Sequence, residues 1–366
     1  MGDVVYVIRV AHLLPTMEVG GRERIVADLC EAAPRHAIEP LLITYDHAAP
    51  DRTLMQVPAA RRIALDRKRA DFACALRTAL TKEKVDLLHA QGHACVALAS
   101  LAKIEVPMVA TLHLALGQGW RWLVPLVRGL HAAADVTAVS QDLARRYRWL
   151  AAGRPIRVIP TGVDLDRFTP ERVSRDLHAP FTVGVAARLH PVKRIDIALD
   201  ALRLLVSRGV RCRLLIAGEG PLRTRLESLS WGLPVELRGA VSDMPAFMRE
   251  LDAFLLTSDH EGTPAALLEA MATGLPCIAT RVGGVPAVLD GAGLLVSRRK
   301  PRAIADAIDQ LMGNFELRSR LGARALHRAR SHSVEMQASA FAALYREIAG
   351  KKQGFQDTAR RHQGEG

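Results

Sequence analysis

The sequence lacks most of the features that take a chain out of the ordinary globular classes. No stretch approaches the roughly 18 consecutive apolar residues of a membrane-spanning helix. The opening MGDVVYVIRV runs directly into a strand-like pattern, without the basic region and long apolar core of a secretory signal. Cysteine is sparse. The five are Cys30, Cys74, Cys95, Cys212 and Cys277, with no CxxC pair among them. An odd, scattered set argues against a disulfide framework, so reduced thiols and a cytoplasmic setting are expected. No zinc or EF-hand spacing occurs, and no short period repeats. No basic tract is interleaved with aromatics in the way that stacks on single-stranded nucleic acid.

What is present fits a larger folded protein. The chain has 366 residues, 49 % apolar and 24 % charged. That supports two domains with sizeable cores and excludes disordered and collagen-like chains. The net charge is +12, from 50 Lys plus Arg against 38 Asp plus Glu. Such an excess suits nucleic acid, an anionic membrane surface or anionic small substrates. It is not concentrated: residues 1–165 carry 21 basic and 16 acidic side chains, and residues 166–366 carry 29 and 22. Neither half is a dedicated basic domain, and a nucleic-acid partner would rest on charge alone.

Strand-like apolar runs alternate with helical patterns. Strands are expected at 4–10, 40–44, 85–89, 106–111, 135–139 and 157–159, and helices at 22–33, 61–80, 94–103 and 141–150. Residues 161–180 hold Gly, Pro and mixed charge and read as a linker. The pattern then restarts, with strands at 181–186, 212–217, 235–238, 253–257, 277–280 and 294–296. Helices are expected at 195–208, 222–230, 245–251 and 265–273. After Pro301 the chain is helical to about Ile348, and 351–366 reads as a frayed tail. Two α/β series of this kind predict two doubly wound parallel sheets facing a central cleft. The expected division is 1–165, 166–332, a returning helix at 333–350, and the tail.

The most informative segment is HEGTPAALLEAMATGLPCIATRVGGVPAVL from His260. Thr263 suits a helix N-cap, Pro264 the first helical position and Gly274 the position past the end. The helix start then lies at the carboxyl edge of a parallel sheet, where exposed N–H groups favour phosphate. Glu261 precedes this helix and Glu269 lies in it, about 9 Å further along. Two carboxylates so spaced can reach both ends of an extended ligand such as a nucleotide diphosphate-sugar. Glu269 can accept from two ribose hydroxyls and Glu261 from sugar hydroxyls. An ordinary helix start, where Glu is common, fits the same residues.

Other candidates sit at expected strand ends. Arg188 and Lys193 follow the 181–186 strand and suit a diphosphate, although a solvated surface pair fits as well. Gly20 and Gly21, with Glu23 close by, can bring backbone amides to a phosphate or simply turn a loop. Gly218 and Glu219 end another strand. Spacing does not choose among His89, His93 and His113 as a sugar-contacting imidazole.

Six motifs, in order, resemble the retaining GT-B glycosyltransferases of family 4. They are Gly20-Gly21 with Glu23 (GGxE), TLH at 111–113, VIPTGVDLDRF at 158–168, ARLHPVKRID at 187–196, LLIAGEGP at 214–221, and the E-x7-E region from Glu261 to Glu269. Together they cover nearly the whole chain. The resemblance implies transfer of a sugar from a nucleotide diphosphate-sugar, most readily UDP- or GDP-linked, to a hydroxyl, with no obligatory metal. It selects His113 among the histidines. It assigns His113, Arg188, Lys193 and Glu261 to catalysis, and Gly20, Gly21, Arg188, Lys193, Gly218, Glu219, Gly262, Thr263, Pro264 and Glu269 to the donor. Two departures stand out: Arg194 replaces the usual Gly after the Lys, and Ala287 replaces the usual Glu after GGxP.

The acceptor then falls to the first domain, as a glycan or a polyprenyl- or lipid-linked hydroxyl in surface polysaccharide or glycolipid synthesis. Arg61–Arg77, and the stretch Trp120–Arg128 with its aromatic and basic punctuation, could face an anionic membrane at its inner surface. A solvated basic helix and tryptophans packed on the core fit equally. A nucleotide-sugar epimerase, a glycogen-synthase-like elongating transferase and a non-catalytic nucleotide-sugar-binding protein share this architecture and remain alternatives.

Overall fold

A computed structural model of the chain describes residues 6–18, 20–46, 54–114, 122–170 and 179–363, with 352–363 described by backbone alone. The chain divides into two compact units, Met1–Pro160 with Val334–Gly366, and Thr161–Ser333.

In the first unit the chain runs β1 (Ile8–Leu14), α1 (Gly21–Ala32), β2 (Ile38–Thr44), β3 (Arg61–Ala64), α2 (Phe72–Lys82) and β4 (Leu87–Gln91). It continues through α3 (His93–Ala102), β5 (Met108–Leu112), α4 (Leu123–Ala132), β6 (Asp135–Ala138), α5 (Gln141–Tyr147) and β7 (Arg157–Val158). The strands form one parallel sheet in the order β3-β2-β1-β4-β5-β6-β7. Every residue of β4 and β5 is buried. Both faces of these strands are covered, so even their polar residues, His89, Gln91 and Thr111, are buried.

Three local expectations are corrected here. The first strand runs to Leu14, because Ala11 to Leu14 continue the ladder with β2 and Ala11 to Leu13 that with β4. The helix expected over 61–80 is two elements. Arg61–Ala64 pairs with Leu41–Thr44 as an exposed edge strand, and its arginines protect that edge. The Asp66 carboxylate then accepts the Lys68 N–H at 2.9 Å, a turn that competes with helix until α2 starts. Between the strands expected at 106–111 and 135–139, where no helix is expected, lies α4, whose Pro125 sits in the first turn, where its missing N–H costs nothing. Trp120 and Arg121 lie outside the described residues.

The second unit runs β8 (Phe181–Ala186), α6 (Ile195–Ser207), β9 (Cys212–Ala217), α7 (Arg223–Leu229), β10 (Val235–Gly239) and α8 (Met244–Arg249). It continues through β11 (Ala253–Leu256), α9 (Ala265–Ala272), β12 (Cys277–Thr280), α10 (Val285–Leu289), β13 (Gly293–Val296), α11 (Pro301–Gly313) and α12 (Phe315–Arg330). Its parallel sheet has the order β10-β9-β8-β11-β12-β13. Two apolar clusters cover its faces, one built around α6 and α11 and the other around α9. The stretch expected as a linker is partly core: Val163 and Phe168 are buried in the α9 cluster, and the Val163 N–H donates to the His332 carbonyl at 2.7 Å.

α13 (Val334–Gln363) returns to the first unit and runs past Ile348, where the sequence pattern fades. Its Phe341, Leu344 and Tyr345 pack with Ile8, Val10, Leu87 and Val109. In each sheet the order reverses beside the first strand, between β1 and β4 and between β8 and β11. Such switch points open a crevice at the carboxyl ends of the strands, where α/β sheets bind ligands.

Candidate active site

The second unit gathers charge at the carboxyl edge of its sheet. After β8 the chain makes a loop through Arg188 and a 3-10 turn at Pro191–Lys193. Opposite it, the loop after β11 carries Ser258 to Glu261. The two loops are tied by the Asp259 N–H to the Val192 carbonyl at 2.8 Å and the Thr257 hydroxyl to the Lys193 carbonyl at 2.8 Å. Their side chains meet as well. The Lys193 ammonium donates to Glu261 Oε1 at 2.6 Å, and the Ser258 hydroxyl donates to the same oxygen at 2.5 Å. Glu261 is only 3 % exposed, so this carboxylate depends on both donors. Its Oε2 takes no hydrogen bond from the described residues. A 68-residue separation hid this pair from sequence reasoning.

Two close backbone approaches bring these loops together. Gly283 has φ +48°, and a Cβ there would lie 1.8 Å from the Glu261 carbonyl oxygen. Gly218 has φ +140°, and its Cβ would lie 1.9 Å from the Ala187 carbonyl oxygen. Glycine at these positions lets the loops after β9 and β12 close against those after β8 and β11. The Glu219 carboxylate is engaged by Arg223 at 2.6 Å. Arg188, by contrast, is exposed and has no ion-pair partner among the described residues. It is the cation of this loop most available to an anionic ligand.

Arg194 does not extend the free positive charge. It stands in the left-handed region, φ 49° and ψ 43°, the conformation that favours the glycine of the resembled motif. Its guanidinium grips Asp196 at 3.0 and 2.8 Å and reaches Asp259 at 3.4 Å. Asp259 is also held by Arg299 at 2.9 and 2.7 Å. Arg299 first, then Arg194, keeps its carboxyl below the usual carboxylate range.

The helix start departs by one residue from the expected cap. Pro264 is the N-cap of α9, and Thr263 lies outside it, buried with Gly262. Glu269 sits half-buried about one and a half turns along. Gly274 at φ +73° ends the helix as expected: its N–H donates to the Met271 carbonyl at 3.0 Å and the Leu275 N–H to Ala270 at 3.0 Å.

The first unit gathers mostly neutral groups at its carboxyl edge, around the ion pair of Arg22 with Glu23. Gly20 is the extended N-cap of α1, and a Cβ there would lie 2.5 Å from Glu23 Oε2. Gly21 faces open space, with nothing within 4 Å of an added Cβ. Glu23 is buried and accepts from Arg22 Nε at 3.0 Å. His113 follows β5 and bonds Gln91 at the end of β4, Nε2 to Oε1, at 2.8 Å. Burial, then the Arg22 charge and His93, push its imidazole down to about 3, so it is neutral at physiological pH. His89 is sealed in the sheet between Tyr345 at 2.6 Å and Thr111 at 2.5 Å. His93 bonds the Tyr147 hydroxyl. Arg22 and Gln91 carried no sequence signal beyond their neighbours; only the fold brings them to this edge. Among the described residues no group of three or more His, Cys, Asp or Glu could hold a metal ion.

Two doubly wound units, each with its candidate residues at the strand carboxyl ends, form the GT-B type of architecture. The solved HepE of Anabaena, in complex with UDP-glucose, shares it: TM-score 0.80 at 19 % identity, over 95 % of this chain and 100 % of that one. A family model described as "Glycosyltransferase Family 4" matches residues 19–167, and one described as "Glycosyl transferases group 1" matches residues 180–314. The chain belongs to the family 4 glycosyltransferases. It is 34 % identical over 175 residues to a GDP-mannose-dependent alpha-(1-6)-phosphatidylinositol dimannoside mannosyltransferase of Mycobacterium tuberculosis, covering 45 % of this chain and 46 % of that protein. It is 33 % identical over 232 residues to a D-inositol 3-phosphate glycosyltransferase of Corynebacterium jeikeium, covering 57 % and 55 %. The chain thus spans about half the length of the curated relatives it matches.

Proposed function

We propose that this chain is a retaining glycosyltransferase, moving a sugar from a nucleotide diphosphate-sugar to a hydroxyl of a glycan or lipid-linked acceptor. The second unit takes the donor and the first the acceptor. The observation that carries this reading is the Lys193–Glu261–Ser258 cluster at a sheet switch point, with exposed Arg188 in the same loop as Lys193. One N–H of Lys193 is spent on Glu261, which fixes the ammonium and leaves two donors for a diphosphate. Arg188 adds a second cation. Glu261 Oε2 is left to accept a sugar hydroxyl, and Glu269 the ribose hydroxyls. Gly262, Thr263 and Pro264 lead into the start of α9, whose free N–H groups suit a phosphate; Gly218 and Glu219 line the nucleotide side.

In the reaction the acceptor oxygen bonds to the anomeric carbon on the face from which the diphosphate oxygen leaves. The acceptor proton passes to that leaving oxygen, so no separate base is required. Arg188 and Lys193 stabilise the charge that develops on it. Gly20 and Gly21, with open space over Gly21, give the reacting sugar close access to backbone. His113 hydrogen-bonds a sugar hydroxyl as a neutral imidazole. Support for a lipid-linked acceptor comes from exposed Trp122 and Val124 beside exposed Arg128, a combination suited to the inner face of an anionic membrane. Among the described residues no helix is long and apolar enough to cross a membrane.

The test is a panel of UDP- and GDP-sugars assayed with membrane lipid extract, alongside Glu269→Ala. One donor should bind and transfer, and Glu269→Ala should weaken its binding at least roughly tenfold, the loss of about one charge-assisted hydrogen bond. Full activity in that variant removes the ribose assignment. An inverted anomeric centre in the early product, seen by NMR, removes retention. Donor binding without turnover favours the non-catalytic alternative.

A further inference from the structure

Three histidines and an amide lie in line across the first unit's sheet. His12 on β1 is opposite His89 on β4, and Gln91 ends β4 two residues later, opposite Thr111. Gln91 is 2 % exposed and His12 1 %. The Gln91 amide nitrogen donates to His12 Nδ1 at 3.1 Å, and its carbonyl oxygen faces His113 Nε2 at 2.8 Å. A primary amide is the group that can serve both partners at once, because it carries donors on one atom and acceptor lone pairs on the other. Both imidazoles are neutral: burial lowers His12 to about 4, as it lowers His113. The groups that face His113 are Arg22 on α1, His93 on α3, and His89 and Gln91 on β4. The neighbouring Glu23 carboxylate is engaged by Arg22. Among the described residues no carboxylate bonds the imidazole.

We infer that Gln91 is a positioning residue that fixes His113 as its Nε2–H tautomer, leaving Nδ1 as a hydrogen-bond acceptor for a substrate hydroxyl. The carbonyl of Gln91 can only accept, so Nε2 must carry the proton. His12 Nδ1 keeps the amide from flipping as long as its own lone pair faces the amide nitrogen. An acceptor nitrogen has a chemical consequence. It welcomes a hydroxyl, which brings a hydrogen, and repels a phosphate or carbonyl oxygen, which does not. His113 then accepts from a sugar hydroxyl and turns away a phosphate oxygen. The choice of hydroxyl rests on the transferase reading; the tautomer does not.

The experiment separates the two. Long-range proton–nitrogen NMR of the uniformly labelled full chain reads each tautomer directly, with His113→Gln assigning the signal. The wild-type chain should show His113 protonated at Nε2 alone. Gln91→Leu should leave a mixture of tautomers, and Gln91→Glu, which keeps an acceptor at nearly the same volume, should retain Nε2–H. An Nδ1–H signal in the wild type overturns the inference, as does an unchanged Nε2–H signal in Gln91→Leu. If the leucine variant fails to fold, the glutamate variant decides alone: its carboxylate must raise the His113 pKa from about 3, and an unmoved pKa overturns the inference. With an active donor, Gln91→Leu should lower kcat/KM roughly tenfold, the worth of about one hydrogen bond. Gln91→Glu should move the acid limb of the pH profile upward, because protonation removes the acceptor at Nδ1. A tautomer that behaves as stated without any turnover would count against the transferase reading and leave the inference intact.

Discussion

The two units share a sheet order over six strands, with a seventh, β7, added in the first, yet their carboxyl edges carry different balances of chemistry. The second holds formal charges: Lys193 on Glu261, Arg194 and Arg299 on Asp259, and Arg188 exposed. The first holds mostly neutral hydrogen-bonding groups in two short chains, His12–Gln91–His113 and Tyr345–His89–Thr111–Thr137, beside a single ion pair, Arg22 with Glu23. A doubly wound sheet therefore supplies a place and not a chemistry. The loops determine whether that place meets a diphosphate, which asks for charge, or a hydroxyl, which asks for directed donors and acceptors.

The sharpest way to break this contrast is to remove the charge. Lys193→Ala leaves Glu261 with Ser258 alone and takes a cation from the leaving group. Turnover should fall by about 10²–10³-fold, in the range for one lost transition-state donor. Glu261→Ala combined with it should cost much less than the two losses multiplied, because the partners act together. Multiplicative losses would show that the pair does not act as one group.

Next in size is a backbone contrast between two glycines. Gly283→Ala places a Cβ 1.8 Å from the Glu261 carbonyl oxygen at φ +48°. It should destabilise the chain by about 3 kcal/mol, read from the urea midpoint. Gly21→Ala, with nothing within 4 Å, should leave the midpoint within about 0.5 kcal/mol of wild type. A loss of transfer in Gly21→Ala at unchanged stability would mark that open space as substrate space. Equal midpoints for the two variants would refute the close approach at Gly283.

The smallest effect is a difference in acid sensitivity. His12 and His89 are held neutral by burial, His12 at about 4, whereas an unfolded histidine titrates near ~6.5. Between those values the unfolded chain binds protons that the folded chain does not. Stability is therefore lost as pH falls from about 6.5 toward 4, by up to about 1.4 kcal/mol per pH unit for each buried imidazole. Asp259 has the same sign at lower pH: its lowered pKa contributes stability that is lost as pH falls from the ordinary carboxylate value through its own lower one. His332 in the second unit is also lowered by burial, but it remains partly accessible. Hydrogen exchange on the full chain, corrected for intrinsic rates, should show β1, β4 and β5 opening more readily at pH 5 than at pH 7. Amides of β8, β9 and β11 should change less. Equal changes in both sheets would contradict the assignment.

The second unit was the more legible in sequence. β8, β9 and β12 have the bounds the apolar runs suggested, because central parallel strands are buried on both faces. The first unit hid β3, whose Arg61 and Arg62 suit an exposed edge, and α4, whose Pro125 weakens the helical pattern in its first turn. At the candidate site, motif order located Arg188, Lys193, Glu261 and His113. It did not reveal that Lys193 and Glu261 share a proton donor bond, or that Arg194 turns away to clamp Asp196 and Asp259. Nor did it point to Gln91. Those facts depend on residues far apart in the chain meeting at a sheet edge, and local pattern contains no record of that.

The returning helix α13 has a consequence for the order of assembly. Its Phe341, Leu344 and Tyr345 are buried against strands from the beginning of the chain. Each fully buried side chain of this size contributes about 1.5–3 kcal/mol. During synthesis the first sheet emerges early but lacks one wall of its core until the helix follows. Every segment of the second unit emerges before that helix. The second unit can therefore fold to completion while the first still waits, exposing Ile8, Val10 and Leu87 to the solvent or to a chaperone. The part of the protein that is begun first is finished last.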